Sequence, residues 1–183
     1  EVIPNAGEII KHLVCDFKDA FFMLPFWWEE CLYCGTWYQG SWYIWQRIPQ
    51  GIINGPSVYG RLSALTGRMS QGLQDTTMVR TQIYTDNPCT TLRGAEQQCD
   101  RNAAVLMALW LVLGRGLSYH KGQYHIASNW IGYSIKVSDE YVIASIKEEF
   151  MMEFTTLARD TLANNLISID DLRSLAGKAN HIA

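Results

Sequence analysis

Short apolar runs separated by turn residues predict β-strands in the first half of the chain. Residues 9–14 form an apolar approach to Asp16, and residues 78–84 form a similar run that leads to Asp86. Aromatic residues crowd positions 37–45 around a central Gly turn, a pattern that predicts a β-hairpin. Two of the predicted strands are therefore followed by a carboxylate, about seventy positions apart in the sequence.

Apolar residues at helical spacing predict four helices in the rest of the chain. The first begins near Pro56 and ends near Gly72, with apolar positions at Val58, Leu62, Leu65 and Met69. The second follows Gly94 and stops at Gly114, and its stripe is Cys99, Ala103, Leu106, Met107, Trp110 and Leu113. A third is predicted from Ser138, which would cap it, with a buried stripe at Ile143, Ile146, Phe150, Phe154 and Leu157, and a fourth from Ser168.

Composition limits what the chain can do by itself. Its 183 residues can bury one sizeable core, but 15 basic against 18 acidic residues give no basic tract that would predict nucleic-acid binding from charge. No signal peptide is evident, and the longest apolar run, 103–113, is shorter than the ~20 residues of a membrane span, which predicts a soluble protein of the cytoplasm or nucleus. Cys31 and Cys34 have the spacing of a zinc knuckle but lack a second pair, so they are interpreted as strand residues in a reducing compartment.

Three segments carry candidate chemistry, and their order is informative. They read D-F-K-D-A-F-F at 16–22, R-I-P-Q-G-I-I-N-G-P at 47–56 and Y-T-D-N at 84–87. In this order they resemble the motifs of retroelement and retroviral reverse transcriptases. The resemblance continues with L-S-Y-H-K at 117–121, similar to the family's fourth motif, and W-I-G-Y at 130–133, similar to its primer grip. It covers nearly the whole chain.

The resemblance implies an α+β fold, the right-hand palm of a polymerase, in which helices back an antiparallel sheet. Residues 1–25 would begin the palm, 26–50 would form a finger hairpin, 51–136 would complete the palm, and 137–183 would begin a helical thumb. The expected partners are dNTPs and an RNA or DNA template with its primer. The chain would be an excerpt of a polyprotein that also carries RNase H and integrase.

The resemblance also assigns roles to residues. Asp16 and Asp86 would hold two Mg²⁺ ions with the backbone carbonyl of Phe17, since carboxylates are hard oxygen ligands suited to Mg²⁺. Lys121 would neutralise or protonate the leaving pyrophosphate. Phe21 would lie beneath the incoming sugar and exclude a 2′-hydroxyl. The nucleotide would be bound by Phe17, Asp19, Ala20, Phe21, Gln50 and Gly51. The primer grip would consist of Trp130, Ile131 and Gly132.

One position departs from the family. Asn87 stands where the family has the second Asp of its catalytic hairpin, which replaces a carboxylate by a neutral amide. The sequence therefore supports two interpretations. The chain is either an RNA-directed DNA polymerase, a nucleotidyltransferase that copies a template from dNTPs, or an inactive remnant that serves as a nucleic-acid or protein interaction domain.

Overall fold

The computed structural model describes residues 4–137, 142–164 and 167–182. Nine strands are described: β1 (Ile9–Val14), β2 (Gly35–Tyr38), β3 (Ser41–Ile44), β4 (Val79–Tyr84), β5 (Asn87–Gly94), β6 (Gln123–His125), β7 (Ala127–Trp130), β8 (Tyr133–Val137) and β9 (Val142–Ile146). Five α-helices accompany them in this part of the chain: α1 (Trp28–Cys31), α2 (Gly55–Gly72), α3 (Glu96–Val112), α4 (Glu148–Asn164) and α5 (Ile169–Ile182). The fold is α+β, as predicted, with antiparallel sheets backed by helices.

The main sheet has the order β4-β5-β1-β6, and every neighbouring pair is antiparallel. Successive side chains of a strand point to opposite faces, so Leu13 of β1 faces the helices while His12 faces away from them. Leu13 belongs to the core cluster, which also contains Phe17, Leu92, Leu106 and Trp110. The rings of Phe17 and Trp110 of α3 are nearly perpendicular, with 5.6 Å between ring centroids. The core therefore lies directly beneath the segment that follows β1.

Helix α2 forms where the apolar spacing predicted it, but its buried face is the more polar one. Tyr59, Ser63, Thr66 and Ser70 are buried, while Val58, Leu65 and Met69 are exposed. The hydroxyl groups are accommodated because they have partners: the buried Trp110 Nε1 donates to Ser70 Oγ at 2.8 Å. Burying hydroxyl groups costs little when they are hydrogen-bonded, so a polar stripe can form a packing face.

The predicted β-hairpin is present as β2 and β3, which pair only with each other among the described strands. Its two turn residues, Gln39 and Gly40, have φ of 47° and 81°, the left-handed values that a two-residue hairpin turn requires. The interpretation of Cys31 and Cys34 as strand residues is wrong. Cys31 ends the short helix α1, and Cys34 lies just before β2.

Another sheet, with the order β7-β8-β9, follows the strands of the main sheet along the chain. The third helix was predicted to include residues 143 and 146, and this prediction is wrong because Val142–Ile146 is strand β9, paired with β8. β-branched residues at three of its five positions favour a strand. The helix begins at Glu148, and the predicted cap at Ser138 lies outside the described residues.

No helix within the described ranges is long and apolar enough to cross a membrane.

The division of the chain into palm, finger and thumb segments at residues 25, 50 and 136 stays a prediction. Beyond β9, α4 and α5 are joined by an ion pair from Lys178 to Glu153.

Candidate active site

The ends of two neighbouring strands bring the carboxyl-bearing residues together. Asp16 follows β1, and Asp86 lies in the turn between β4 and β5. The backbone N–H of Phe17 donates to the backbone oxygen of Asp86 at 2.8 Å, which extends the β1–β5 pairing past the last ladder residues. Residues about seventy positions apart in the sequence are thus in direct backbone contact.

The turn that carries Asp86 has a strained backbone. Thr85 has φ of 56°, in the left-handed region that β-branched residues rarely adopt, which costs about 1–2 kcal/mol. The hydroxyl of Ser63, on the buried face of α2, donates to the backbone oxygen of Thr85. Strain of this kind persists where surrounding contacts determine the conformation, and it is common at functional sites. Ser63 therefore helps to define where Asp86 lies.

Lys121 is paired with Asp16. Its Nζ donates to Asp16 Oδ2 at 2.9 Å, and the Asp16 side chain is only 15% exposed against 57% for Lys121. The hydrogen bond with Asp16, and then attraction to Asp16 and Asp86, raises the pKa of Lys121, so the amine stays charged. The segment before Lys121 runs beside Asp16, because Ser118 N–H donates to the Asp16 backbone oxygen at 2.9 Å.

Asn87 has a side-chain contact with its neighbour. Its amide Nδ2 donates to Asp86 Oδ1 at 2.9 Å, and its backbone oxygen accepts a 2.9 Å hydrogen bond from Trp130 Nε1. Trp130 begins a two-residue turn in which Ile131 and Gly132 have φ of 43° and 90°. This hydrogen bond joins the segment interpreted as a primer grip to Asn87, the residue that follows Asp86.

The residues predicted to bind nucleotide lie in two stretches, residues 17–21 and residues 50–51. Phe21 packs on Tyr59 of α2 with 5.1 Å between ring centroids, and a Cβ added at Gly55 would lie 3.6 Å from both Phe21 and Ile48. Gln50 and Gly51 follow Ile48 in an exposed loop. Asp19 is also exposed, with φ of 52°, whereas Ala20 is buried.

Tyr59 packs on Phe21, and burial raises its pKa while the nearby charge of Arg115 lowers it. Within the described residues the structure shows no hydrogen bond from Gln50 or Gly51 to either carboxylate.

Sequence reasoning missed a buried arginine beneath the site. Arg115 is 3% exposed, donates from Nη2 to Thr66 Oγ1 at 3.0 Å, and lies 5.9 Å from the Phe17 ring centroid and 6.0 Å from that of Tyr59. Burial lowers its pKa, although an arginine stays charged at neutral pH. Neither its position after α3 nor its glycine neighbours indicates burial, so no sequence signal would have identified it.

The donor set of the site suits a hard cation. Across residues 4–137, 142–164 and 167–182, no three His, Cys, Asp or Glu side chains gather into a group that could hold a metal ion. Asp16 and Asp86 remain as two carboxylates, with the Asn87 amide beside them. Mg²⁺ is commonly held by one or two carboxylates together with substrate phosphates and water, so two carboxylates fit that ion.

Comparisons with solved structures agree with this architecture. A foamy viral protease-reverse transcriptase in complex with dsDNA is 18% identical, with a TM-score of 0.65 over 93% of this chain and 32% of that one. The same viral protein in complex with an RNA/DNA hybrid is 16% identical, with a TM-score of 0.65 over 93% and 21%. A dRH form in complex with ds DNA is 16% identical, with a TM-score of 0.68 over 98% and 28%.

At these identities the likeness shows the fold, which is that of a reverse transcriptase palm. This chain spans about a third or less of the length of those structures. No family model and no curated protein matches the sequence.

Proposed function

We propose that this chain carries the catalytic centre of a reverse transcriptase, which extends a primer with dNTPs on an RNA or DNA template. The observation that carries the proposal is the contact between Phe17 N–H and the Asp86 backbone oxygen, which places two carboxyl-bearing residues at one strand end. The palm fold supports it, because the structures to which the chain is similar are those of a foamy viral protease-reverse transcriptase. A shared fold alone would not be sufficient support.

Asp16 and Asp86 would hold two Mg²⁺ ions, with the Phe17 carbonyl and the Asn87 amide oxygen as further oxygen ligands. When bound, the ions would activate the primer hydroxyl and stabilise charge on the reacting phosphate. Lys121 is held charged beside Asp16 and lies where its amine would neutralise phosphates of the incoming nucleotide.

Phe21 and the residues predicted to bind nucleotide with it would contact the nucleotide itself. Phe21 rests on the buried Tyr59, so its ring has a firm support from which to exclude a 2′-hydroxyl. Gln50 and Gly51, in the adjoining exposed loop, would contact the nucleotide together with Asp19 and Ala20.

The turn formed by Trp130, Ile131 and Gly132 would position the primer end. Its hydrogen bond to the Asn87 backbone holds it at a set distance from the carboxylates. The neighbouring structures contain dsDNA or an RNA/DNA hybrid, which supports a nucleic-acid duplex as the partner. The chain would then be part of a polyprotein that also includes RNase H and integrase.

A second candidate function is an inactive remnant that binds nucleic acid or protein without turnover. Two contacts favour it, because the amide of Asn87 occupies Asp86 Oδ1 and the amine of Lys121 occupies Asp16 Oδ2. Both contacts compete with cation binding, and Lys121 leaves the pair of carboxylates with a net charge of only one negative unit.

Primer extension separates the two candidates. The purified chain is incubated with Mg²⁺, dNTPs and a labelled primer on RNA and DNA templates. The Asp86→Asn variant and a control variant, Asp171→Asn on α5, are tested in parallel. The proposal expects extension by the wild type and the control, and a loss of about a thousandfold or more in Asp86→Asn. A wild type that binds the duplex but never extends it would support the remnant instead.

A further inference from the structure

The ion pair between Lys121 and Asp16 joins two segments whose backbones are firmly held together. Leu117 forms an antiparallel bridge with Phe17, and Ser118 N–H donates to the Asp16 backbone oxygen at 2.9 Å. Lys121 N–H in turn donates to the Ser118 backbone oxygen at 3.0 Å, which closes a short 3₁₀ turn. The Lys121 side chain is 57% exposed, so it can leave Asp16 without breaking any of these backbone contacts.

The two carboxylates of the site differ in the donor that each accepts. Asp16 Oδ2 accepts from the ammonium group of Lys121, which carries a full positive charge, whereas Asp86 Oδ1 accepts from the neutral amide of Asn87. The Asp16 side chain is only 15% exposed, and salt screens charges near a partly buried group less than charges in open solvent. A competing cation is therefore present at Asp16 and not at Asp86.

A divalent ion and the Lys121 ammonium group cannot bind the same oxygen side by side without cost. Their like charges repel strongly at a separation of a few ångströms. Because Lys121 is attached to the segment beside Asp16, its ammonium group is also present there at a high effective concentration. Its flexible four-carbon stem allows the ammonium group to move away from Asp16 while the backbone stays in place.

We propose that Lys121 competes with the divalent ion for Asp16, so that Lys121 leaves Asp16 Oδ2 when an ion binds there. Its ammonium group is then available to the phosphates of the nucleotide. This inference rests on the metal site of the proposed function. It gives Lys121 two effects of opposite sign, because the side chain weakens ion binding and yet supports primer extension. A residue that only held its segment in place would support both.

Mn²⁺ binding in the absence of nucleotide, measured by electron paramagnetic resonance, tests the competition. Lys121→Met removes the competing charge and should bind Mn²⁺ at least about tenfold more tightly than the wild type. Lys121→Arg keeps a cation on a long side chain and should stay within about threefold of the wild type. Circular dichroism confirms that each variant is folded.

Lys18→Met is the matched control for the loss of one positive charge near the site. Lys18 lies two positions after Asp16, is exposed, and makes no ion pair within the described residues. Because exposed charges that touch no partner are screened by salt, its removal should change Mn²⁺ affinity by less than about threefold.

Nuclear magnetic resonance of lysines carrying ¹³C-methyl groups shows whether Lys121 moves. Reductive methylation keeps the positive charge, and the Lys121 signal is assigned from its loss in Lys121→Arg. Titration of the wild type with diamagnetic Mg²⁺ should shift this signal toward its position in Asp16→Asn, where Lys121 has lost its carboxylate partner. The Lys18 signal should stay in place.

Each contrary result has a distinct meaning. If the wild type binds Mn²⁺ and Lys121→Met binds it equally or less tightly, the competition is overturned and the metal site stands. Equal gains in Lys121→Met and Lys18→Met also overturn it, because a general loss of positive charge would explain both. So does a Lys121 signal that stays fixed while Mg²⁺ saturates the wild type. Absence of Mn²⁺ binding in all four proteins overturns the competition together with the proposed metal site.

Discussion

Replacing Ser70 by alanine should weaken the attachment of α2 to α3. Ser70 is fully buried on α2, and its hydroxyl accepts a 2.8 Å hydrogen bond from the equally buried Trp110 Nε1. The variant leaves the indole N–H without a partner, at a cost of about 2 kcal/mol. Alanine's better helix propensity returns about 0.5 kcal/mol. The net loss of about 1.5 kcal/mol should lower the Tm by roughly 3–6 °C in a chain of this size.

Thermal and urea unfolding followed by circular dichroism measure this change, and Ser128→Ala is the matched control. Ser128 is 3% exposed, but its hydroxyl has no hydrogen-bond partner within the described residues. The same substitution should therefore change stability there by less than about 0.5 kcal/mol. Equal losses in the two variants would refute the reasoning, because burial alone and not the hydrogen bond would then set the cost.

Three further predictions concern the site and its sheet. Phe21→Ala should raise ribonucleotide use relative to dNTP use in primer extension, and an unchanged ratio would make Phe21 a core residue only. Lys121→Met should lower extension about a hundredfold or more, because the amine beside Asp16 is lost, and full activity would exclude its role. Burial lowers the pKa of His12, so the unfolded state binds protons more readily and wild-type stability should fall as pH drops below about 6.5. Urea unfolding at two pH values should show a smaller pH effect in His12→Gln, and equal effects would contradict this.

Much of the fold could be predicted because local rules agree with the tertiary structure. Strands β1 and β4 coincide with the runs predicted as strands at residues 9–14 and 78–84, and α2 and α3 with helical spacing bounded by glycine. Strand β9 was predicted as helix because Ile143 and Ile146 also satisfy a helical spacing, and only pairing with β8 distinguishes the two. Short apolar runs carry this ambiguity in general.

The candidate site was predictable as a set of residues but not as a set of contacts. Motif order indicated Asp16, Asp86 and Lys121. Nothing in the sequence indicated that the Ser63 hydroxyl would hold the strained Thr85, since a serine within a helix more often faces solvent. Such contacts depend on how α2 packs against the sheet, a long-range property that local patterns do not encode.

Binding of a divalent ion tests the central claim most directly, since it does not require turnover. Mn²⁺ can replace Mg²⁺ at oxygen sites and is counted by electron paramagnetic resonance as the free ion disappears. The wild type should bind Mn²⁺ in competition with Mg²⁺, and Asp16→Asn and Asp86→Asn should each weaken binding at least about tenfold, with Asp171→Asn unchanged. Binding that is absent in the wild type, or equal in all four proteins, would contradict a shared metal site at Asp16 and Asp86.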